Sequence, residues 1–351
     1  MRVLIDIGHP AHVHFFREPI RQLSRAAHEI IVTSRRKEIA TDLLDALGLE
    51  HVTLSAQGRG GILGLGRELI QRNAALLRLV SHRKPDVMAA IGGIFIAQVG
   101  AITRVPSVVF YDTENARLQN LLTYPLASRI VVPRAYQGWT PRKRAFRYNG
   151  YHELSYLRPD RFRPERERAV GNGLDPTRRN FLIRVVSWQA SHDVGEHGWS
   201  DTLLSRVVDR LAEHGSVMIS SERPLPDALR RHAYPGRIED IHHVMAHLDG
   251  FIGESATMAS EAAVLGVPAV YAAETGRGYT DEQDTRYGLV HNVRRVSGSA
   301  LDEAVDWALT LSVAERERRR ATLLGDTIDV SSMATDQILD AARHRRTRSQ
   351  L

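Results

Sequence analysis

Short runs of aliphatic and β-branched residues alternate along this chain with longer stretches in which apolar residues recur every three or four positions. The runs at residues 2–7, 29–33, 51–54, 87–91, 107–111 and 129–132 read as strands, and the stretches at 13–25, 39–47, 65–82 and 94–103 as the helices between them. That alternation is the pattern of a parallel sheet covered by helices on both faces. Residues 148–153 close this set or begin the passage to a second. The second set has strands at 181–186, 216–220, 250–253 and 269–271, with helices at 202–213, 226–231, 241–246, 256–265 and 301–310. Between the two, Pro159, Pro164, Gly171, Gly173 and Pro176 oppose regular structure.

The expected fold class is therefore α/β, with two Rossmann-like doubly wound domains facing across a cleft. Residues 1–156 form the first and 181–330 the second, with a linker at 157–180. The segment 331–351 supplies a last helix and tail, placed to return to the first domain. A length of 351 residues suits two such domains.

Composition narrows the class further. The longest apolar stretch, near Met88 to Ile102, is interrupted by Gly92, Gly93, Gln98 and Gly100, so no membrane span is expected and at most peripheral membrane contact. The opening residues 1–7 turn polar too soon for a secretory signal and read as a buried strand. With no cysteine, disulfides and thiolate metal sites are excluded, which suits a cytoplasmic protein. A formal charge of +6 raises the question of nucleic acid. The basic clusters at Arg142-Lys143-Arg144, 316–320 and His344-Arg345-Arg346 read instead as solvated faces and tail, and no nucleic-acid motif accompanies them.

Ligands of open α/β sheets bind beyond the carboxyl ends of strands. After the first strand stands Gly8-His9-Pro10-Ala11-His12-Val13-His14, with three histidines in six residues. Gly8 permits a tight turn, and the amides of the following helix can face an anion, with Gly8 and His9 as contacts. No full G-x-G-x-x-G is present, so no dinucleotide cofactor is expected. His12, then His14, are candidate general bases, since a near-neutral imidazole accepts a proton from a hydroxyl. Asp112 and Glu114, at the end of a later strand, are alternative bases or orienting groups; a capping role for Asp112 stays open.

In the second set, Gly253-Glu254-Ser255-Ala256-Thr257 ends a strand and opens a helix whose amides and dipole favour a phosphate. Glu261 lies four residues beyond Thr257, where a carboxylate on the same helical face can accept both hydroxyls of a ribose. Arg184 and Ser187, at the end of residues 181–186, are placed to neutralise a diphosphate, with Ser191 and His192 just beyond. For Arg184 a structural ion pair is an equal alternative. Gly276-Arg277-Gly278-Tyr279-Thr280-Asp281-Glu282-Gln283 reads as a glycine-bearing loop able to fold over a ligand, with Gly278, Tyr279, Thr280, Glu282 and Gln283 as contacts.

The segment from Gly253 to Ala269 resembles the donor-binding unit of GT-B glycosyltransferases and of UDP-N-acetylglucosamine 2-epimerase. The resemblance implies GT-B architecture, a diphosphate at Ser255, Ala256 and Thr257, a ribose at Glu261, and a nucleobase near Ile238 to Ile241. Residues 109–116 and 126–133 are similar to a strand and helix of the transferase that adds N-acetylglucosamine to the peptidoglycan lipid precursor. Over nearly its whole length the chain resembles a microbial glycosyltransferase-like family of unknown function, with markers at residues 7–16 and Gly278 to Gln283.

This resemblance implies a glycosyltransferase that takes a nucleoside-diphosphate sugar, a UDP-sugar foremost, and an acceptor that is a small molecule, a glycan or a lipid-linked molecule. No D-x-D motif is present, so neither a metal nor another cofactor is expected. Epimerisation or hydrolysis of the nucleotide sugar, and binding without turnover, remain alternatives. His-x-His after a strand also suggests a zinc hydrolase with Asp112, His192 and His242 as further ligands, although two sheets rather than an eight-fold barrel are counted.

Overall fold

The run from Arg2 becomes β1 (Arg2–Ile7), buried on both faces from Val3 onward, as the centre of a helix-covered parallel sheet requires. The computed structural model describes residues 1–36, 38–56, 61–114, 116–187 and 198–349. It divides into one unit made of Met1–Tyr156 with Ile328–Leu351 and another made of Leu157–Thr327.

In the first unit β2 (Glu29–Arg36), β3 (His51–Ala56), β4 (Val87–Ile91), β5 (Ser107–Phe110), β6 (Arg129–Pro133) and β7 (Ala145–Tyr148) join β1. The sheet is parallel, in the order β3-β2-β1-β4-β5-β6-β7. Helices α1 (Pro10–Arg25), α2 (Glu38–Ala46), α3 (Gly61–Arg83), α4 (Ile94–Thr103) and α5 (Arg117–Thr123) connect the strands. The order reverses between β1 and β4, and such a switch point opens a crevice above the carboxyl ends.

Helix α1 starts at His9, an extended N-cap, with Pro10 in the first turn, where a missing N–H is no loss. Its buried Phe15 and Phe16 meet edge to face at 4.9 Å, and Phe15 lies 5.1 Å from Phe110 of β5. Each fully buried ring contributes about 1.5–3 kcal/mol. Beneath α1 the carboxylate of Asp6 is held by Arg72 of α3 at 2.8 and 3.1 Å and by the Thr33 hydroxyl at 2.8 Å. The Arg72 guanidinium also lies 4.4 Å from the centre of the Phe95 ring.

The second unit comprises α6 (Arg166–Gly171), β8 (Arg179–Val185), α7 (Asp201–Ala212), β9 (Gly215–Ser221), α8 (Ile241–Met245), β10 (Gly250–Gly253), α9 (Ala256–Leu265), β11 (Ala269–Ala272), α10 (Gly278–Thr285), β12 (Val290–Val293), α11 (Gly298–Thr310) and α12 (Val313–Gly325). Its parallel sheet runs β12-β11-β10-β8-β9, reversing between β8 and β10. Phe181, Ile183, Ile252 and Val270 pack with Leu204 and Val207 of α7 and Leu301 and Val305 of α11. At the switch point a Cβ on Gly253 would sit 2.7 Å from the Arg184 carbonyl oxygen, so only glycine lets β10 lie this close to β8.

The structure departs from the sequence expectations in several places. Residues 226–231, expected as a helix, fall in a 3₁₀ turn, Asp227–His232. The segment 157–180, expected as a linker, lies in the second unit and contains α6, because Leu157, Ala169 and Leu174 are buried there. The expected loop at 276–283 is largely α10: Tyr279 and Gln283, one turn apart, are both buried and fix the helix despite Gly276 and Gly278. The final helix, α13 (Val330–Ser349), lies against α1, where Gln22 bonds Ser331 at 3.1 Å and Thr335 at 2.8 Å.

Removing Asp6 strands Arg72 as a buried cation. Asp6→Ala is expected to lower unfolding free energy by about 3–5 kcal/mol, and Asp6→Leu with Arg72→Met to cost less. Urea melts of the three proteins check the order; a double variant less stable than Asp6→Ala contradicts it.

Candidate functional site

In the first unit the carboxyl edge gathers His9, His12, Asp112 and a residue the sequence reading missed, His152. The backbone turns at Gly8, whose amide donates to His12 Nδ1 at 3.2 Å, while His9 Nδ1 accepts from the Ala11 amide at 3.2 Å. The two rings lie 5.9 Å apart. Burial, then the neighbouring His9, holds the His12 imidazole well below its ordinary value near 6.5; Asp112 opposes this and His152 and Arg72 add to it. His12 is thus neutral, and because Nδ1 accepts a backbone N–H, its proton resides on Nε2. In that geometry His12 presents a hydrogen-bond donor through Nε2.

Asp112 follows β5. Its Oδ2 lies 3.1 Å from His152 Nδ1 and its Oδ1 accepts from the Thr113 hydroxyl at 2.9 Å. The His152 ring is buried against Phe15 at 4.6 Å, with Nε2 lacking a hydrogen-bond partner among the described residues. The Asp112 side chain remains 20 % exposed. His14 points the other way, buried and stacked on Tyr156 at 5.2 Å. Glu114 Oε1 accepts from the Gln137 amide at 3.1 Å, so this carboxylate braces a loop.

In the second unit the edge is built around β10 and α9. The Ser255 hydroxyl caps α9 by accepting from the Met258 amide at 3.3 Å, a bond that leaves the hydroxyl proton available. Ala256 is buried in the first turn and Thr257 half-buried beside it. Small Ala and Ser residues let α9 lie flat on the sheet until Gly266, at φ 85°, ends it. Glu254 is not open to a ligand as expected: Oε2 accepts from the Val186 amide at 2.9 Å and Oε1 from the Trp199 amide at 2.7 Å. It anchors the backbone beyond β8 to β10.

Glu261 is buried, and its Oε1 accepts from His242 Nε2 of α8 at 2.8 Å. Ile241, half-buried, opens the same short helix. Arg184 is engaged by Ser220 at 2.7 Å and by an ion pair with Glu222, which also accepts from the Ser187 amide at 3.2 Å and hydroxyl at 3.3 Å. The structural alternative for Arg184 therefore describes it, and Ser187 shares that network. Glu222, distant in sequence, was not foreseen.

Ser191 and His192 lie outside the described residues. In α10, Gly278, Tyr279 and Thr280 are buried, Glu282 is half-buried, and Gln283 Nε2 donates to Ser260 of α9 at 2.8 Å. Gln283 is therefore a tie between helices rather than a loop contact. Of the further zinc candidates, Asp112 pairs with His152 and His242 with Glu261. Among the described residues no three His, Asp or Glu are placed to hold a metal ion. Nor is any described helix long and apolar enough to cross a membrane.

Two parallel sheets of seven and five strands with flanking helices define the GT-B fold, which solved glycosyltransferases and UDP-N-acetylglucosamine 2-epimerases share. The UDP-GlcNAc 2-epimerase of Neisseria meningitidis, solved bound to UDP-GlcNAc, is 12 % identical with a TM-score of 0.67, over 97 % of this chain and 99 % of that one. The glycotransferase of kitacinnamycin is 14 % identical with a TM-score of 0.66, over 97 % of this chain and 99 % of that one. The family model described as a protein of unknown function, DUF354, matches residues 1–343, and the chain belongs to that family. Uncharacterized protein MJ0665 of Methanocaldococcus jannaschii is 23 % identical over 285 residues, 76 % of this chain and 80 % of that protein.

The depressed pKa of His12 sets a pH dependence. Above about pH 6.5 both folded and unfolded chains carry it neutral; as pH falls below that value the unfolded chain takes a proton the folded one refuses, so stability declines. His12→Asn is expected to flatten the decline between pH 7 and about pH 5, checked by urea melts across that range. An unchanged slope contradicts the burial of a neutral imidazole.

Proposed function

We propose that the chain is a glycosyltransferase that uses a nucleoside-diphosphate sugar, a UDP-sugar foremost. The observation that carries this reading is the β10–α9 junction. There a helix amino end, a capping Ser255 and a Glu261 carboxylate oriented by His242 follow one another within eight residues. Unpaired amides and the helix dipole suit a diphosphate, and a fixed buried carboxylate suits the paired hydroxyls of a ribose. Thr257 adds a hydroxyl in the first turn of α9. The neighbours named above include one solved with UDP-GlcNAc, which supports a nucleotide sugar as the ligand.

In the reaction the acceptor hydroxyl oxygen attacks the anomeric carbon as its bond to the β-phosphate oxygen breaks. The nucleoside diphosphate leaves with that electron pair, stabilised by the amino end of α9. Asp112, aligned by His152 and Thr113, takes the acceptor proton, and neutral His12 donates a hydrogen bond through Nε2. The proposed transfer is metal-independent, in keeping with a sequence that carries no D-x-D motif.

The epimerase likeness favours a second reading, in which the same nucleotide grip serves epimerisation or hydrolysis of the sugar. Free nucleoside diphosphate without a glycosylated product would select hydrolysis; an isomerised nucleotide sugar would select epimerisation.

Thermal-shift titration with UDP, 2′-deoxy-UDP and other nucleoside diphosphates tests the ligand class. UDP is expected to raise Tm and to bind more tightly than 2′-deoxy-UDP. Glu261→Gln should weaken UDP binding by about tenfold, ~1.4 kcal/mol, and erase most of that preference. If no nucleoside diphosphate shifts the wild-type melt, the nucleotide-sugar reading is lost.

A further inference from the structure

Two arginines are buried among the described residues, Arg72 at 2 % exposure and Arg277 at 8 %. Arg72 is matched by Asp6. Arg277 has no carboxylate within ion-pair distance among the described residues; its guanidinium Nη1 donates to the Gly276 carbonyl at 2.9 Å and makes no other hydrogen bond there. The nearby Arg294, which lies against Gly276, is neutralised by Asp281, and Arg184 by Glu222. Arg277 is thus a largely buried side chain whose cationic head meets no anion among the described residues and is left to pair with one from solution.

Its place in the fold indicates which. β11 runs beside β10 in parallel register, with Gly253 opposite Tyr271, so both strands release their chains at one edge of the sheet. From β10 the chain enters α9 through Glu254 and Ser255; from β11 it passes through residues 273–277 into α10, for which Arg277 is the extended N-cap. The two helices are tied by the bond from Gln283 to Ser260.

We propose that Arg277 is an anion ligand of the second unit and receives the phosphate of the nucleoside diphosphate that departs in the reaction. This rests on the nucleotide-sugar reading above and adds to it the group that neutralises the leaving diphosphate, a role the sequence suggests for Arg184. An arginine suits the task because its planar donors pair with two phosphate oxygens at once. The neutral cap Ser255 and the charged Arg277 then hold separate parts of one ligand.

Binding of UDP and of uridine to wild type, Arg277→Met and Arg277→Lys, measured by calorimetry beside the melting temperature of each ligand-free protein, decides the matter. Arg277→Met is expected to melt close to wild type, since no ion pair among the described residues is lost with it, yet to bind UDP at least tenfold more weakly with uridine unchanged. Arg277→Lys should fall between them. A wild type that prefers UDP to uridine, joined with an Arg277→Met or Arg277→Lys protein that keeps the full preference, overturns the assignment and leaves the nucleotide reading standing. Should Arg277→Met fail to fold, the charge is structural and the assignment is overturned. A wild type that binds UDP no better than uridine removes both.

Discussion

In each unit, carboxylates stand at the carboxyl edge of a parallel sheet, where burial makes an unsatisfied charge costly, and the protein meets each of them with a different internal partner. Asp6 is held by a guanidinium and a hydroxyl, Asp112 by an imidazole and a hydroxyl, Glu254 by two backbone amides, and Glu261 by an imidazole. The geometry of the edge therefore exists before any ligand arrives. A site aligned in advance loses little order on binding, which is where such an arrangement gains over one assembled by the ligand.

The same partners sort the candidate residues into frame and working surface. Glu254 and Glu114 use their carboxylates to fasten backbone, and Glu222 draws Arg184 and Ser187 into one network. Such residues sit where ligand contacts are expected, yet their polar atoms are engaged by other groups of the protein. Asp112 differs in being fastened while staying partly exposed. Arg277 differs in having no fastening charge.

How much of this was legible in the sequence follows from how local each feature is. The strands β1, β4, β5, β8 and β10 were readable because each carries its own apolar run, and α9 because cap, small residues and terminating glycine are contiguous. β12, with His291 and Asn292 between its valines, carries too weak a pattern to stand out. α10 was hidden by Gly276 and Gly278, which locally favour a loop; the burial of Tyr279 and the Gln283–Ser260 bond, both tertiary, outweigh that preference. His152 lies forty residues beyond Asp112 and Glu222 thirty-eight beyond Arg184, so only the strand order brings each pair together. The features proposed to bind nucleotide in the second unit are thus close in sequence, whereas those proposed to handle a proton in the first are scattered, and sequence likeness reports a ligand class more readily than a reaction.

The tautomer of His12 shows how that scattering shapes chemistry. A histidine beside a strand end invites the reading of a base, but the Gly8 amide occupies its Nδ1 lone pair, and burial with neighbouring His9, His152 and Arg72 discourages a second proton. What is left is an Nε2–H group, a neutral donor. Asp112, which can only accept when ionised, stands near enough to influence His12, with His152 fixing its orientation. A donor and an acceptor held in one neighbourhood would let the proposed transfer separate proton removal from charge stabilisation. In the proposed transfer the histidine-rich turn is then the electrophilic half of a pair whose basic half comes from the end of β5.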